Sequence, residues 1–399
     1  MDKNDFLKFH RAWVEIDLDT LRSNLSLLTK EIPEDSGSKP MCVVKANGYG
    51  HDDITVMNCL EECGVDWFAV SSIDEAIRLR NGGCSGEILI LGYTPADAVD
   101  ELVKYDIIAA AISKEHAYRM NREAKRRKLR IRVHAAIDTG MGRIGVVADD
   151  IDRCIEETAD IFSMSNLKAE GLFTHYSSAD NDDKDSIEYT RMQTEKFLAV
   201  RKGLEEKGFA PKVCHFLNSA GGLYHFDSES SLIRYGISLY GLKPNAEIKS
   251  PVPVKPVLSF KTVISYIKDA QPGDCISYGR TFTVSKPMKI ATIPAGYADG
   301  YSRLLSNKAE VLIGGKRCRI LGNVCMDQMM VDISDVPDAK CGDEAILIGS
   351  QGSESITADD LAQLYGTIGY EIICGIGMRV PRVIIENGEI RNVLTYINL

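Results

Sequence analysis

Val43-Val44-Lys45-Ala46-Asn47-Gly48-Tyr49-Gly50-His51-Asp52 is the stretch from which the rest of the chain can be read. The apolar run Pro40-Met41-Cys42-Val43-Val44 ends in a single lysine, and two glycines interrupt the chain before a helical pattern begins near Asp52 or Asp53. A short apolar run bounded in this way reads as a fully buried strand, and the glycines as the turn out of it. A lysine there is ordinarily a solvated strand end. Lysine is also the side chain that condenses with carbonyl compounds to form Schiff bases.

Further strand-like runs recur beyond this one. The eight are Met41–Ala46, Trp67–Ser71, Glu87–Gly92, Ile107–Ile112, Ile131–Ile137, Ala169–Tyr176, Val213–Leu217 and Leu232–Tyr240. Between many of them lie segments with helix spacing: Asp74–Arg80, Pro95–Val103, Lys114–Lys128 and Ser186–Lys207. Strand–helix alternation repeated this often predicts an α/β chain with an N-terminal (β/α)8 TIM-like barrel; an open doubly wound sheet is the competing architecture. Ahead of the barrel, Ala12–Leu18 alternates as a strand and a helix starting near Asp19 or Thr20 runs towards Glu31. After Lys243 the prolines 244, 251, 253 and 256 mark a linker, and strand-like segments follow with hairpin signals at Gly314-Gly315 and Asn387-Gly388. One short helix is expected from Thr357. The expected division is 11–243 for the barrel and 244–399 for a mostly-β C-terminal domain, with the strand near 12–18 a candidate for either.

Composition narrows the function. The 399 residues carry 47 basic and 57 acidic side chains, a formal net charge of −10, which argues against nucleic acid or an anionic membrane as the main partner. The basic cluster Lys125–Arg130 falls at a helix end, where it complements the dipole. The start of the chain has no apolar signal core, and no run is long enough to span a membrane. Eleven cysteines are scattered through apolar runs; Cys59 and Cys63 lie one helical turn apart with no histidine or second pair to complete a zinc site. A reduced, cytoplasmic protein without a metal is the expectation.

In a barrel, chemistry collects where strands meet the loops that follow them. The polar residues at these places are Lys45, Asp138 with Arg143, His175, Asn218-Ser219 and Arg234. Any one alone reads as a satisfied strand end; all of them on one rim is harder to dismiss. Ser219-Ala220-Gly221-Gly222 and Gly236-Ile237-Ser238 fall in the last two strand–loop units, which often bind phosphate through backbone N–H groups. A lysine able to hold an aldehyde beside a phosphate site suggests pyridoxal 5′-phosphate, with His175 packed on or bonded to its ring. Gly140-Met141-Gly142-Arg143-Ile144-Gly145 has the G-x-G-x-x-G spacing of a dinucleotide site. Its helix, however, is expected to begin only near Asp149 or Asp150, outside the glycines, so Arg143 reads instead as an anion binder at a turn.

Val44-Lys45-Ala46-Asn47-Gly48-Tyr49-Gly50-His51 resembles the cofactor-lysine signature of alanine racemases, the fold-type III pyridoxal-phosphate enzymes. Other segments resemble that family in the same order: Asp138–Gly145, Glu170–His175, Asn218–Gly221, Arg234–Gly241, Ser277–Thr281, Gly296–Gly300, Cys325–Gln328 and Arg379–Arg382. The resemblance implies a racemase of alanine acting on a small amino acid, supplying D-alanine for peptidoglycan, and a homodimer with shared sites. It implies Lys45 as cofactor lysine and one of two catalytic bases, Tyr278 of the partner subunit being the other. Tyr49, Ser219, Gly236 and Ile237 would hold the phosphate, Arg234 the pyridine nitrogen, and Arg143 with the backbone of Met326 of the partner subunit the substrate carboxylate. Tyr297 and Asp180 would line the substrate's way in. Free tyrosine titrates at about 10, so a tyrosine base needs nearby positive charge or hydrogen bonds, which a chain through His175 to Arg234 would supply.

The chain departs from the family pattern in places. Ala136 stands where a carbamylated lysine commonly steadies the carboxylate-binding arginine, Met378 where a tyrosine is usual near the phosphate, and Asn323 where an arginine is common on the access route. These leave a racemase of serine or another amino acid as the alternative. A non-catalytic pyridoxal-phosphate carrier would lack the second domain and Tyr278. A decarboxylase of the same fold would place a carboxylate, not Arg234, at the pyridine nitrogen, and an NAD-dependent oxidoreductase rests only on the glycine motif.

Overall fold

The computed structural model describes residues 10–395. The chain forms two compact units: one contains Arg22–Gly48 and Asp52–Val254, the other the chain up to Leu21, Tyr49–His51 and everything from Lys255 on.

The first unit is a parallel barrel. Its sheet runs Leu217–Asn218, Leu232–Tyr235, Lys39–Val43, Trp67–Val70, Glu87–Ile90, Ile108–Ala111, Ile131–Asp138, Leu167–Phe173, Val213–His215, with every neighbouring pair parallel. The two ends of this order are halves of one run broken at Phe216, so the order returns to its start and the sheet is a nearly closed barrel. Ile88, Leu89 and Ile90 are fully buried, as are all four residues of Ile108–Ala111, which is why these strands read as unbroken apolar runs. The helices start on side-chain caps: Ser72 with Glu75 in a capping box, Ser113, Asp150 and Asp183. The helix after the glycine motif runs Ile151–Phe162, outside the glycines as expected.

The strand ends differ from expectation at the places that matter most. The first strand stops at Val43, short of Ala46, and Lys45–Tyr49 is a single turn in which Ala46, Asn47 and Gly48 are left-handed. The sixth stops at Phe173, so His175 lies on the following loop, and the eighth stops at Tyr235, so Gly236–Tyr240 forms turns instead of strand. The helix expected over Pro95–Val103 divides into a 3-10 turn, Ala96–Ala98, and a helix, Val99–Lys104.

The second unit is built on an eleven-stranded sheet. Ala12–Asp17 sits inside it, antiparallel to Leu258–Val263 and parallel to Arg382–Glu386. Leu258–Val263 alternates buried and half-buried, the mark of a sheet with one face on a core. Gly314-Gly315 joins Glu310–Ile313 to Lys316–Leu321 with both residues at positive φ, and Asn387-Gly388 does the same for Arg382–Glu386 and Glu389–Leu394. The expected helix is Ala358–Tyr365, capped by Thr357 and Asp360; a further one, Gly369–Cys374, was not expected. All eleven cysteines are free thiols.

Candidate active site

The turn that carries Lys45 is held from two directions. Val44 N still donates to Ala69 O at 2.9 Å, but Ala46 N donates to the Glu75 carboxylate at 2.7 Å. Glu75 also accepts from Ser71 N at 2.7 Å, so one side chain from the next βα unit ends the strand and fixes the left-handed turn. From the loop after the eighth strand, the Tyr240 hydroxyl donates to Val43 O at 3.0 Å. Lys45 therefore projects from backbone pinned on both sides.

Arg234 lies in the barrel interior, 2% exposed, and among the described residues its hydrogen-bond partners are carbonyls and histidines, not carboxylates. Its Nη1 donates to His215 Nδ1 at 2.9 Å and His215 O at 3.0 Å; its Nη2 donates to Thr174 O at 2.8 Å, Phe216 O at 3.2 Å and His175 Nδ1 at 3.3 Å. Burial lowers its pKa to about 9, so it stays a cation at neutral pH. Nε is the exception: a buried N–H with no acceptor among the described residues. An unsatisfied buried donor is expensive, and an aromatic ring nitrogen would satisfy it. Burial, together with the nearby Arg234, Arg143 and Lys45, pushes the His175 pKa well below the ordinary histidine range. Three cations thus surround one neutral imidazole, a field suited to an anionic ligand. Ser219 Oγ accepts from Gly236 N at 2.9 Å, which leaves its own proton for an anion, and Ser238 Oγ is buried without a partner among the described residues. These groups fit pyridoxal phosphate: a lysine for its aldehyde, an N–H for its ring nitrogen, and donors with positive charge for its phosphate. Among the described residues no group of three His, Cys, Asp or Glu is placed to hold a metal.

The loops after the fifth and sixth strands are tied together. The Asp138 carboxylate accepts from Gly140 N and Gly142 N, both at 3.0 Å, shaping the loop on which Arg143 stands exposed. Gln193, fully buried on helix Lys184–Glu206, donates to His175 O at 3.1 Å and accepts from Ser177 N at 3.1 Å, and buried Thr139 and Thr174 bond through their hydroxyls at 2.8 Å. Asp180 is half-buried in the turn that follows. Ala136 is buried against Ala110 and Phe173, an apolar patch. Gln193, His215 and His134 were not singled out in the sequence; a lone histidine in the apolar run Val213–Leu217 was the available signal.

In the second unit, the Tyr49 hydroxyl's pKa is raised by burial and by Cys374, and its ring lies 6.4 Å from that of Tyr370. Tyr278 and Tyr297, each at the start of a short 3-10 turn, and Met326 and Met378, on loops, are exposed. Asp299, 2% exposed, binds Arg11 at 3.0 Å, Arg379 at 2.8 Å and Gly296 N at 3.0 Å. Arg379 also reaches Asp327 at 2.6 Å, while Tyr297 N and Ala298 N donate to Cys325 O and Met326 O, both at 3.0 Å. The loops bearing Tyr297, Met326 and Met378 thus share one ionic clasp, which sequence reasoning missed because its members are scattered from residue 11 to residue 379. A Cβ on Gly296 would lie 2.2 Å from Cys325 O, so the two loops meet backbone to backbone.

A parallel barrel with a lysine at its rim and a buried arginine N–H awaiting a ring acceptor, in a chain that adds a β domain, defines a barrel-type pyridoxal-phosphate enzyme. Residues 16–244 match the family described as alanine racemase, N-terminal domain, and residues 257–384 match alanine racemase, C-terminal domain. The chain belongs to the alanine racemase family and is a pyridoxal-phosphate-dependent amino-acid racemase. It is 43% identical over 93% of its length to the alanine racemase of Halothermothrix orenii, covering 96% of that protein. Among solved structures, alanine racemase of Clostridium difficile superposes with a TM-score of 0.91 at 37% identity, over 98% of this chain and 99% of that one. The Bacillus anthracis alanine racemase with bound L-Ala-P gives 0.90 at 36% identity, over 98% and 99%.

Proposed function

We propose that the protein interconverts L- and D-alanine in the cytoplasm, as a homodimer, supplying D-alanine for peptidoglycan, with the cofactor-binding barrel inside 11–243 and the β domain made of 244–399 together with the strand near 12–18. The observation that carries this reading is the unmet N–H of Arg234. Bound pyridoxal phosphate supplies an electron sink that acidifies the Cα proton of an attached amino acid. An arginine at the ring nitrogen, unlike a carboxylate, does not stabilise a protonated pyridine, which limits charge in the ring and favours proton exchange at Cα.

Racemisation requires a proton to leave one face of Cα and return to the other, so two groups are needed. Lys45 Nζ serves one face and the hydroxyl of Tyr278 of the partner subunit the other. Tyr49, Ser219, Gly236 and Ile237 hold the phosphate, His175 stands by the ring, and Arg143 and the backbone of Met326 of the partner subunit hold the carboxylate. Asp180 and Tyr297 line the way in. Support for a single anion-binding pocket comes from the three cations, Arg234, Arg143 and Lys45, that act together on His175. No helix among the described residues is long and apolar enough to cross a membrane. The exposed thioether of Met378 and the apolar wall at Ala136 favour a second reading, turnover of serine or a longer amino acid alongside alanine.

The test is α-proton exchange into deuterated solvent from each enantiomer of alanine and serine, with borohydride trapping mapped by mass. Trapping at Lys45, and a Tyr278→Phe variant that loses exchange from one enantiomer far more than from the other, are expected. Equal loss from both would sink the two-base assignment.

A further inference from the structure

We propose that Ser277 and Asn323 are positioning residues that clamp the backbone beneath Tyr278 and so aim its phenol. The proposal rests on Tyr278 being a proton-transferring group and names what sets its direction. Ser277 has φ 67 and ψ 178, a conformation essentially reserved for glycine. Two residues on, Gly279 and Arg280 have φ 70 and 50. Three of four consecutive residues therefore lie at positive φ, and only one of them is glycine.

Two hydrogen bonds account for this. The Ser277 hydroxyl donates to Asn323 O at 2.5 Å, and Asn323 Nδ2 donates to Tyr278 O at 2.7 Å. Together they close a ring around the 277–278 peptide. The other side of the ring is itself fixed: Gly322 N donates to Asn307 Oδ1 at 2.7 Å, and Val324 N to Ser306 Oγ at 2.9 Å. A Cβ on Gly322 would lie 2.6 Å from Ile276 O, so the two segments run in direct backbone contact.

The tyrosine itself is 73% exposed in its own chain. Its ring has little packing there to orient it, and the direction of its Cα–Cβ bond is set by the clamp below. If the turn were only a chain reversal, glycine at 277 would make it without strain. Serine brings a hydroxyl that ties the turn to Asn323. Strain of this kind persists where its surroundings over-determine it, and it gathers at functional sites.

The experiment compares Ser277→Gly, Asn323→Asp and the double variant with parent and with Tyr278→Phe, as holoenzymes with alanine. Ser277→Gly relieves the strained φ, and Asn323→Asp keeps the shape but cannot donate to Tyr278 O. Each should melt within a few degrees of the parent while kcat falls about 10- to 100-fold, the scale of a small misplacement of a reacting group. KM should change less, and the double variant should be no worse than the poorer single one, because the two residues act as a unit. The loss should fall on the enantiomer whose exchange Tyr278→Phe abolishes. If both variants exchange both enantiomers at parental rates, or lose both equally, while Tyr278→Phe stays asymmetric, the clamp is overturned and the base assignment stands. If Tyr278→Phe itself lowers both equally, the base assignment fails.

Discussion

Arg234 Nη1 and His215 Nδ1 lie 2.9 Å apart, a contact in which only the arginine can donate. His215 must therefore present its lone pair at Nδ1 and carry its proton on Nε2, which lies 3.0 Å from His134 Nδ1. His134 in turn accepts there and keeps its own proton on Nε2, an atom without an acceptor among the described residues. The chain Arg234–His215–His134 thus fixes two neutral imidazoles in one tautomer and orients the guanidinium whose Nε is left without an acceptor among the described residues. In uniformly 15N-labelled protein, both histidines should show the Nε2–H pattern, unchanged down to about pH 5.5.

Stability should depend on pH through these residues. Burial lowers the His134 pKa to about 4, and those of His215 and His175 well below the ordinary 6.5. Above pH 6.5 the histidines are neutral in both folded and unfolded chains, and their contribution is complete. As pH falls below 6.5 the unfolded chain takes up protons that the folded one refuses, so stability drops towards the folded pKa. Each such group contributes up to about 1.4 kcal/mol per pH unit, or about 2 kcal/mol for His134 between pH 6.5 and 5. Urea denaturation across that range should show this slope, and His134→Gln should flatten it by one proton. A pH-independent midpoint would refute the neutral pair.

Gly171 leaves the space that the His134 ring fills. A Cβ there would lie 2.4 Å from two ring carbons of His134, closer than any real contact. Gly171→Ala should destabilise the barrel by about 1–3 kcal/mol and shift the His134 and His215 imidazole signals. A variant that melts like the parent with those signals unmoved would mean that the strand accommodates the methyl group by another route.

The barrel was legible because a parallel sheet buried on both faces spells its strands as apolar runs, and Lys45, Arg143, His175 and Ser219 fell just past strand ends, with Arg234 inside the last strand. Where those boundaries sit was less legible. Ala46 N is captured by Glu75, 29 residues away; His175 O by Gln193, 18 away; and Gly236 N by Ser219, 17 away. Each capture diverts a backbone group that periodicity assigns to the sheet ladder, so the sequence reading overran the strand. The histidine chain was hidden for a related reason: His134 and His215 are 81 residues apart and meet only once the barrel has formed.

Asp299 should matter more than Asp327 to the loops that carry Tyr297, Met326 and Met378. The Asp299 side chain is buried and meets both arginines and Gly296 N, whereas that of Asp327 is 46% exposed. Asp299→Asn should cost about 1.5–3 kcal/mol, the range for hydrogen bonds to a charged group, and should raise KM for the amino acid. Asp327→Asn should have a smaller effect that disappears in high salt, as expected of an exposed pair. Equal losses in chemical denaturation at low salt would show that burial does not rank the two.

Arg143 is expected to depend on Asp138 as an acceptor, not as a charge. Arg143 stands exposed on the loop that follows Asp138, so the loop itself must hold the arginine in place. Asp138 does this by accepting two backbone N–H groups through one oxygen, both at 3.0 Å, while Gly145 N donates to Ile112 O at 2.9 Å and Ala148 N to Asp138 O at 2.9 Å. Gly145 has φ 124, and a Cβ there would lie 2.5 Å from Asp138 N, so the far end of the loop is closed by backbone contact. Asp138→Asn keeps an oxygen in the same place and should retain parental kinetics. Asp138→Ala removes the acceptor, gives up two hydrogen bonds of about 1 kcal/mol each to solvent, and frees the loop; KM for the amino acid should rise about tenfold or more with a much smaller change in kcat, since carboxylate binding weakens before and during reaction alike. If Asn and Ala raise KM equally, the negative charge of Asp138 acts on Arg143 directly and the loop-shaping account is wrong.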